Sequence, residues 1–278
     1  MAYDYDRLHI ETHGAAMWVT IDNPPINLMT PVLFGQLAKL SSEVAADDEV
    51  LVVVLQSANP DFFLAHFDVE AILGYPYEGD APRPTSLGGF HRMCEAFRTM
   101  PKATICKIAG RVGGGGSELA LACDMRFGAR GRAIVNQMEV PIGILPGGGG
   151  TQRLPWLVGR GRALEMILGG VDVDAVTAER WGYFNRVFDP ADLDREVDAL
   201  ARRIAGFPPS AVRLAKEAIL AAQPDPVPGL LEEEHLVQRV LRTPDAGLAM
   251  RRFLDRGGQT LDGELRVAEL MTDVAEPE

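Results

Sequence analysis

The sequence is short of lysine, cysteine and net positive charge, and it contains no long apolar run. Lysine occurs only at Lys39, Lys102, Lys107 and Lys216, and 39 acidic residues against 27 basic ones give a formal charge of −12. A nucleic-acid ligand needs a basic face that displaces counterions from phosphates, so this balance argues against one. Any anionic ligand has to be met by local groups. Three cysteines, Cys94, Cys106 and Cys123, fit neither a disulfide framework nor a CxxC redox or metal motif, and point to a reducing compartment. The opening MAYDYDRLHI is acidic where a signal peptide is basic, and no stretch approaches a membrane span, so a cytoplasmic protein without a membrane partner is expected. His9, His13, His91 and His235 share no ligand spacing, and no metal is expected.

What is present describes a large globular chain. Its 278 residues are 47% hydrophobic and 24% charged, and a chain of this length removes roughly 75% of its unfolded surface from water on folding. Leu8, Ile10 and Met17–Ile21 flank a His13-Gly14 turn signal and read as strands. Thr30 before Pro31 reads as a helix start, with Leu33, Leu37, Leu40 and Val44 as one apolar stripe. Val50–Leu55 is apolar on both faces, which suits a central strand covered on both sides, and Thr104–Ala109 is a second such run. The intervening Glu70–Met100 reads as irregular before a short helix around Phe90–Phe97. Beyond Gly113 the order is a glycine loop, a helix over Glu118–Cys123, strands over Met125–Ala129 and Ala133–Asn136, a second glycine loop, and helices including Ala191–Ala205, Ser210–Ala222 and Leu230–Leu254. The class is α/β.

Two glycine clusters carry the first hint of chemistry. Gly113-Gly114-Gly115-Gly116-Ser117-Glu118 leads into a helix, where unobstructed backbone N–H groups and the positive helix end favour an anion, either a phosphate or an oxyanion developing at a carbonyl. A tight turn that needs glycine would look the same. Gly147-Gly148-Gly149-Gly150 reads equally as close packing or as a binding loop. Neither cluster matches GxxxxGK[ST] or a strand-borne GxGxxG, which argues against a nucleotide-binding protein. Glu118 and Glu139 stand near these loops, and paired carboxyls can divide acid and base work when their surroundings separate their pKa values.

Taken together, four blocks resemble the enoyl-CoA hydratase/isomerase, or crotonase, family: Asn23–Met29, Phe62–Val69, Gly110–Asp124 and Gln137–Arg153. Ala178–Gly182, Val187 and Ala211–Ala218 extend the likeness late into the chain. The resemblance implies a crotonase-type spiral of ββα units with a C-terminal helical region. It divides the chain into a core over 1–200 and a helical oligomerisation region over 201–265 that builds a homotrimer or dimer of trimers. The acidic remainder, 266–278, is expected to be a disordered tail. The implied ligand is an acyl-CoA thioester, with coenzyme A as part of the substrate and no separate cofactor. Its carbonyl oxygen would lie between the N–H groups of Phe67 and Gly115. Glu118 would act as base toward water, and Glu139 would protonate C2 of a 2-enoyl thioester. Ile26, Leu28, Ala65, His66, Phe67, Asp68, Val69, Gly114 and Gly115 would bind the acyl-CoA, and Lys216 would meet CoA phosphates. The chain departs from the family pattern at His66, where glycine is usual, at Phe67, larger than the common alanine, and at Asn136 and Met138. Retention of both acids favours hydration. The alternatives are isomerisation, hydrolysis or carbon–carbon cleavage by the same fold, or a catalytically silent acyl-CoA binder.

Overall fold

In the computed structural model, which describes residues 3–275, strands and helices alternate over most of the chain. In chain order they are β1 (Leu8–His13), β2 (Ala16–Ile21), α1 (Pro31–Ala46), β3 (Val52–Ser57), β4 (Phe62–Leu64), α2 (Val69–Leu73), α3 (Gly89–Thr99), β5 (Ala103–Ile108), β6 (Arg111–Gly113), α4 (Gly114–Ala122), β7 (Met125–Ala129) and β8 (Ile134–Asn136). There follow α5 (Gly150–Val158), α6 (Arg160–Gly169), β9 (Val173–Asp174), α7 (Ala175–Trp181), β10 (Arg186–Phe188), α8 (Pro190–Ala205) and α9 (Pro209–Leu220). The chain closes with α10 (Val227–Val240), α11 (Pro244–Asp255), α12 (Leu261–Leu265) and α13 (Val267–Ala275).

The strands form a six-stranded sheet, β1-β2-β3-β5-β7-β10, and a four-stranded sheet, β4-β6-β8-β9. Pairing in the larger sheet is parallel except between β1 and β2. Each passage β3–β4, β5–β6 and β7–β8 crosses from the larger sheet to the smaller, and a helix follows, so the chain winds as a spiral of ββα turns. Val52, Val53, Val54 and Leu55 are all buried, as a strand apolar on both faces requires. Helix α1 begins as its sequence indicates: Pro31 occupies the first turn and Thr30 Oγ1 accepts from Leu33 N at 3.3 Å. Its buried stripe is Leu33, Leu37, Leu40 and Val44.

Four local expectations are corrected. The first glycine cluster is not a loop before the helix, because Gly114–Ser117 form the first turn of α4. Strands β9 and β10 extend the two sheets in the stretch after the second glycine loop where only helices were read, since two or three residues are too few to show a period. The long helix expected over Leu230–Leu254 is two helices, broken where Thr243 caps α11 and Pro244 starts it. The expected disordered tail is, over Val267–Ala275, helix α13. Val267, Leu270, Met271 and Val274 are buried together with Met250 and Phe253 of α11, a stripe at helical spacing that outweighs the acidic composition. Residues 276–278 lie outside the described part. No described helix is long and apolar enough to cross a membrane.

Candidate active site

The two glutamates singled out by sequence meet on one cavity of about 660 Å³, together with His66, Phe67, Val69, Gly114 and Gly115. Glu118 comes from the middle of α4, and Glu139 from the segment after β8. Both are buried. Glu118 Oε1 accepts from Gly148 N at 2.6 Å and Gly150 N at 2.8 Å, so the second glycine cluster turns its amides onto this carboxyl. Burial and nearby Glu233 nonetheless push Glu118 up to about 7, against the pull of those amides and of His91. Glu139 lies well above the usual carboxyl range, chiefly through burial and then through the charge of Glu118. Turned so that its oxygen faces Ser117 Oγ (2.9 Å) and its nitrogen faces Glu139 (3.1 and 3.2 Å), the orientation in which both ends find partners, the Gln137 amide would link Glu139 to a buried Ser117–Tyr183 contact of 3.0 Å. Both carboxyls therefore hold a proton to higher pH than an exposed glutamate does, as acid and base groups working near neutral pH require.

The oxyanion-binding candidates follow from backbone geometry. Phe67 pairs with Met29 in an isolated parallel bridge, in which Met29 N donates to His66 O at 2.8 Å and Asp68 N donates to Met29 O at 3.2 Å. In a trans peptide N–H and C=O point in opposite directions, so the Phe67 N–H is turned away from Met29. It faces Gly115: a Cβ placed on Gly115 would lie 3.4 Å from Phe67 N. Gly115 is the second residue of α4, where N–H groups have no intrahelical acceptor. Two unpaired donors thus flank one point of the cavity wall. Gly114 enters this turn at φ 42°, a left-handed value suited to glycine, and any Cβ there would come 2.9 Å from His66 Cβ. Phe34, Phe67 and Phe90 pack their rings at centroid distances of 5.8–6.1 Å beside the same point, which accommodates the bulk of Phe67.

Other expected ligand residues fall elsewhere. Ile26 and Ala65 are buried with Phe62, and Leu28 packs on them, in a cluster of their own, and none of the three lines the cavity. Asp68 caps α2, accepting from Glu70 N and Ala71 N, and also lies off the cavity. Lys216 is remote from the glutamates: its Nζ is 2.8 Å from both Asp124 Oδ2 and Lys102 O. It lines a separate groove of about 690 Å³ that shares no lining residue with the first.

Several supporting residues escaped the sequence reading. Glu233 of α10 is fully buried, with Oε1 accepting from Gly149 N (2.6 Å) and facing His91 Nε2 (2.9 Å), and Oε2 accepting from Thr151 N (3.0 Å). The amides of Gly148–Thr151 thus alternate between Glu118 and Glu233. On the opposite side, His66 Nε2 lies 2.9 Å from Glu264 Oε1 of α12. These partners stand 142 and 198 residues apart, beyond the reach of any local pattern.

The family model of enoyl-CoA hydratase/isomerase matches residues 11–259. The chain belongs to the enoyl-CoA hydratase/isomerase family. Its relatives include the short-chain-enoyl-CoA hydratase of Clostridium acetobutylicum, 32% identical over 89% of this chain and 94% of that one. The carnitinyl-CoA dehydratase of Citrobacter koseri is 31% identical over 80% and 83%. Among solved structures, one described as a "putative enoyl-CoA hydratase" from Streptomyces avermitilis is 36% identical, covers 98% of this chain and 99% of its own, and superposes with a TM-score of 0.89. The spiral of ββα units with helices at its C-terminal end is the family fold, and the chain is an enzyme of that family, whose ligand class is the acyl-CoA thioester.

Proposed function

We propose that this protein hydrates a 2-enoyl-CoA to the 3-hydroxyacyl-CoA. The observation that carries the reading is that two buried carboxyls share one cavity, both raised above the ordinary carboxyl range: Glu118 to about 7 by burial and Glu233 against the pull of two amides, and Glu139 by burial and the charge of Glu118. With the thioester carbonyl accepting from Phe67 N–H and Gly115 N–H, electron density withdrawn toward that oxygen leaves C3 open to water. Glu118 takes the proton of the attacking water, Glu139 delivers its proton to C2, and the proton gained by one carboxyl balances that lost by the other. Preorganised donors matter because the negative charge on oxygen is largest in the transition state, and one such donor contributes on the order of 3 kcal/mol. The names of the two curated relatives, one a hydratase and one a dehydratase, support water addition or removal as the reaction class.

Loss of enoyl-thioester absorbance on mixing with crotonyl-CoA and longer 2-enoyl-CoAs tests the reading directly. Glu118→Gln and Glu139→Gln should each lower kcat by at least about a hundredfold while leaving CoA-ester binding within a few fold. Wild-type protein that binds the thioesters without hydrating any of them rejects hydration in favour of another reaction of the family.

For assembly we propose a homotrimer or a dimer of trimers. Support comes from helix α9, which buries none of its residues, and from exposed Phe207, Ile219 and Trp156 along the groove beside Lys216.

A further inference from the structure

We infer that Glu264 and Gln259, which do not line the cavity, are positioning residues that act through His66 and Val69 to aim the Phe67 N–H at the substrate carbonyl. The inference rests on the cavity being an acyl-CoA site, and it concerns how that site is kept in shape.

Residues 66–69 are pinned at nearly every polar backbone atom. His66 O and Asp68 N are taken by Met29. Phe67 O faces His66 Nδ1 at 2.7 Å. Val69 N donates to Gln259 Oε1 at 2.6 Å, and Gln259 Nε2 reaches Asp68 Oδ1 at 3.2 Å. Phe67 N–H has no protein acceptor among the described residues and lies beside Gly115 on the cavity wall, 3.4 Å from a Cβ built there. The contact of His66 Nδ1 with Phe67 O and the bond from Val69 N to Gln259 Oε1 fix the backbone on its C-terminal side, and the groups that orient His66 and Gln259 lie in one short turn.

That turn is built around Glu264. Its Oε1 lies 2.9 Å from His66 Nε2 and accepts from Gln259 N at 2.8 Å, so one carboxylate oxygen orients both clamps. Each ring nitrogen of His66 therefore faces an oxygen acceptor, a carbonyl on one side and a carboxylate on the other, and only the imidazolium donates to both. Burial disfavours that charge, but the Glu264 carboxylate, the bond to Phe67 O and the nearby Asp68 hold it in place. The ring is further fixed by an edge contact with Phe253 at 5.6 Å between centroids. Gln259 sits at φ 63°, a left-handed conformation rarely adopted outside glycine, and its side chain spans from the C-terminal turn to Val69 and Asp68. A histidine where glycine is usual thus gives the oxyanion loop a buried lever, and the end of the chain holds the lever's other arm.

The test uses the full-length protein with Glu264→Gln and Gln259→Gly, the latter relieving the positive φ while removing the clamp. Cinnamoyl-CoA is the probe, because polarisation of its carbonyl by the two N–H donors shifts its absorbance to the red whether or not water is added. Wild type should show the shift. Each variant should retain less than about half of it, bind the probe within about threefold of wild type, and lose about tenfold or more in kcat with KM little changed, the pattern of a misaimed donor. Gln259→Gly carries the test by itself if Glu264→Gln does not fold. A full red shift and unchanged kcat in the folded variants overturn the inference, as does the absence of a shift in wild type. If wild type shows the shift, the variants lose it, and no enoyl-CoA is hydrated, the hydratase proposal fails while the positioning role stands.

Discussion

A carboxyl raised to about 7 by its surroundings makes the folded state bind a proton that the unfolded chain releases near its ordinary pKa. For Glu118 the sign follows: between about pH 4.5 and 7 the native state holds more protons, so stability falls as pH rises through that window and stays lower above it. Glu118→Gln keeps an oxygen for Gly148 N and Gly150 N but has no charge to bury. It should therefore be more stable than wild type by on the order of 2–3 kcal/mol at about pH 8, with little gain at about pH 4. Denaturant titrations at the two values check this, and an equal effect at both would contradict the burial argument. Glu118 and Glu139 were legible in the sequence because they stand next to glycine clusters at family spacing. The residues that set their behaviour were not, since Glu233 and His91 become neighbours only through the packing of α10 on α3 and α5.

Helix α4 shows how little room an element leaves at its functional end. A Cβ on Gly116 would meet Leu64 Cβ at 2.5 Å and Leu64 O at 2.6 Å, the latter a backbone atom of β4 that cannot swing away. A Cβ on Gly115 would meet Phe90 Cζ at 3.3 Å and Phe67 N at 3.4 Å, a tight but tolerable contact that intrudes beside the Phe67 donor. Gly116→Ala should therefore lower the melting temperature sharply, by about 2–4 °C for each kcal/mol of strain in a chain of this size. Gly115→Ala should fold with a near-normal melting temperature and lose turnover instead. Comparison of thermal melts with crotonyl-CoA assays separates the two, and equal thermal loss in both variants would count against the geometry. The sequence showed this stretch as a glycine loop; it is helix, and Gly116 is needed in it because β4 packs too closely to admit a side chain. Intrinsic preference against glycine in helices is overridden by that approach.

At the scale of the whole molecule, the alternation of strands and helices and the α1 and β3 patterns were readable from hydrophobic spacing, and the spiral from family resemblance. The short β9 and β10 and the helical tail were not, because pairing and late burial decide them. In the proposed assembly the exposed Trp156, Phe207 and Ile219 form the contact between copies, so Ile219→Asp should shift the mass measured by light scattering from about three or six chains toward one. An unchanged mass would exclude this face as the contact. The two carboxylates that grip the site from outside, Glu233 and Glu264, both belong to the last part of the chain. During synthesis the glutamates, the glycine turns and the Phe67 loop leave the ribosome first, with His91 and His66 still lacking their counter-charges. The aimed donor and the braced glycine turn come into being only when α10 and α12 dock, so the shape of the site waits on segments that leave the ribosome well over a hundred residues after His91 and His66.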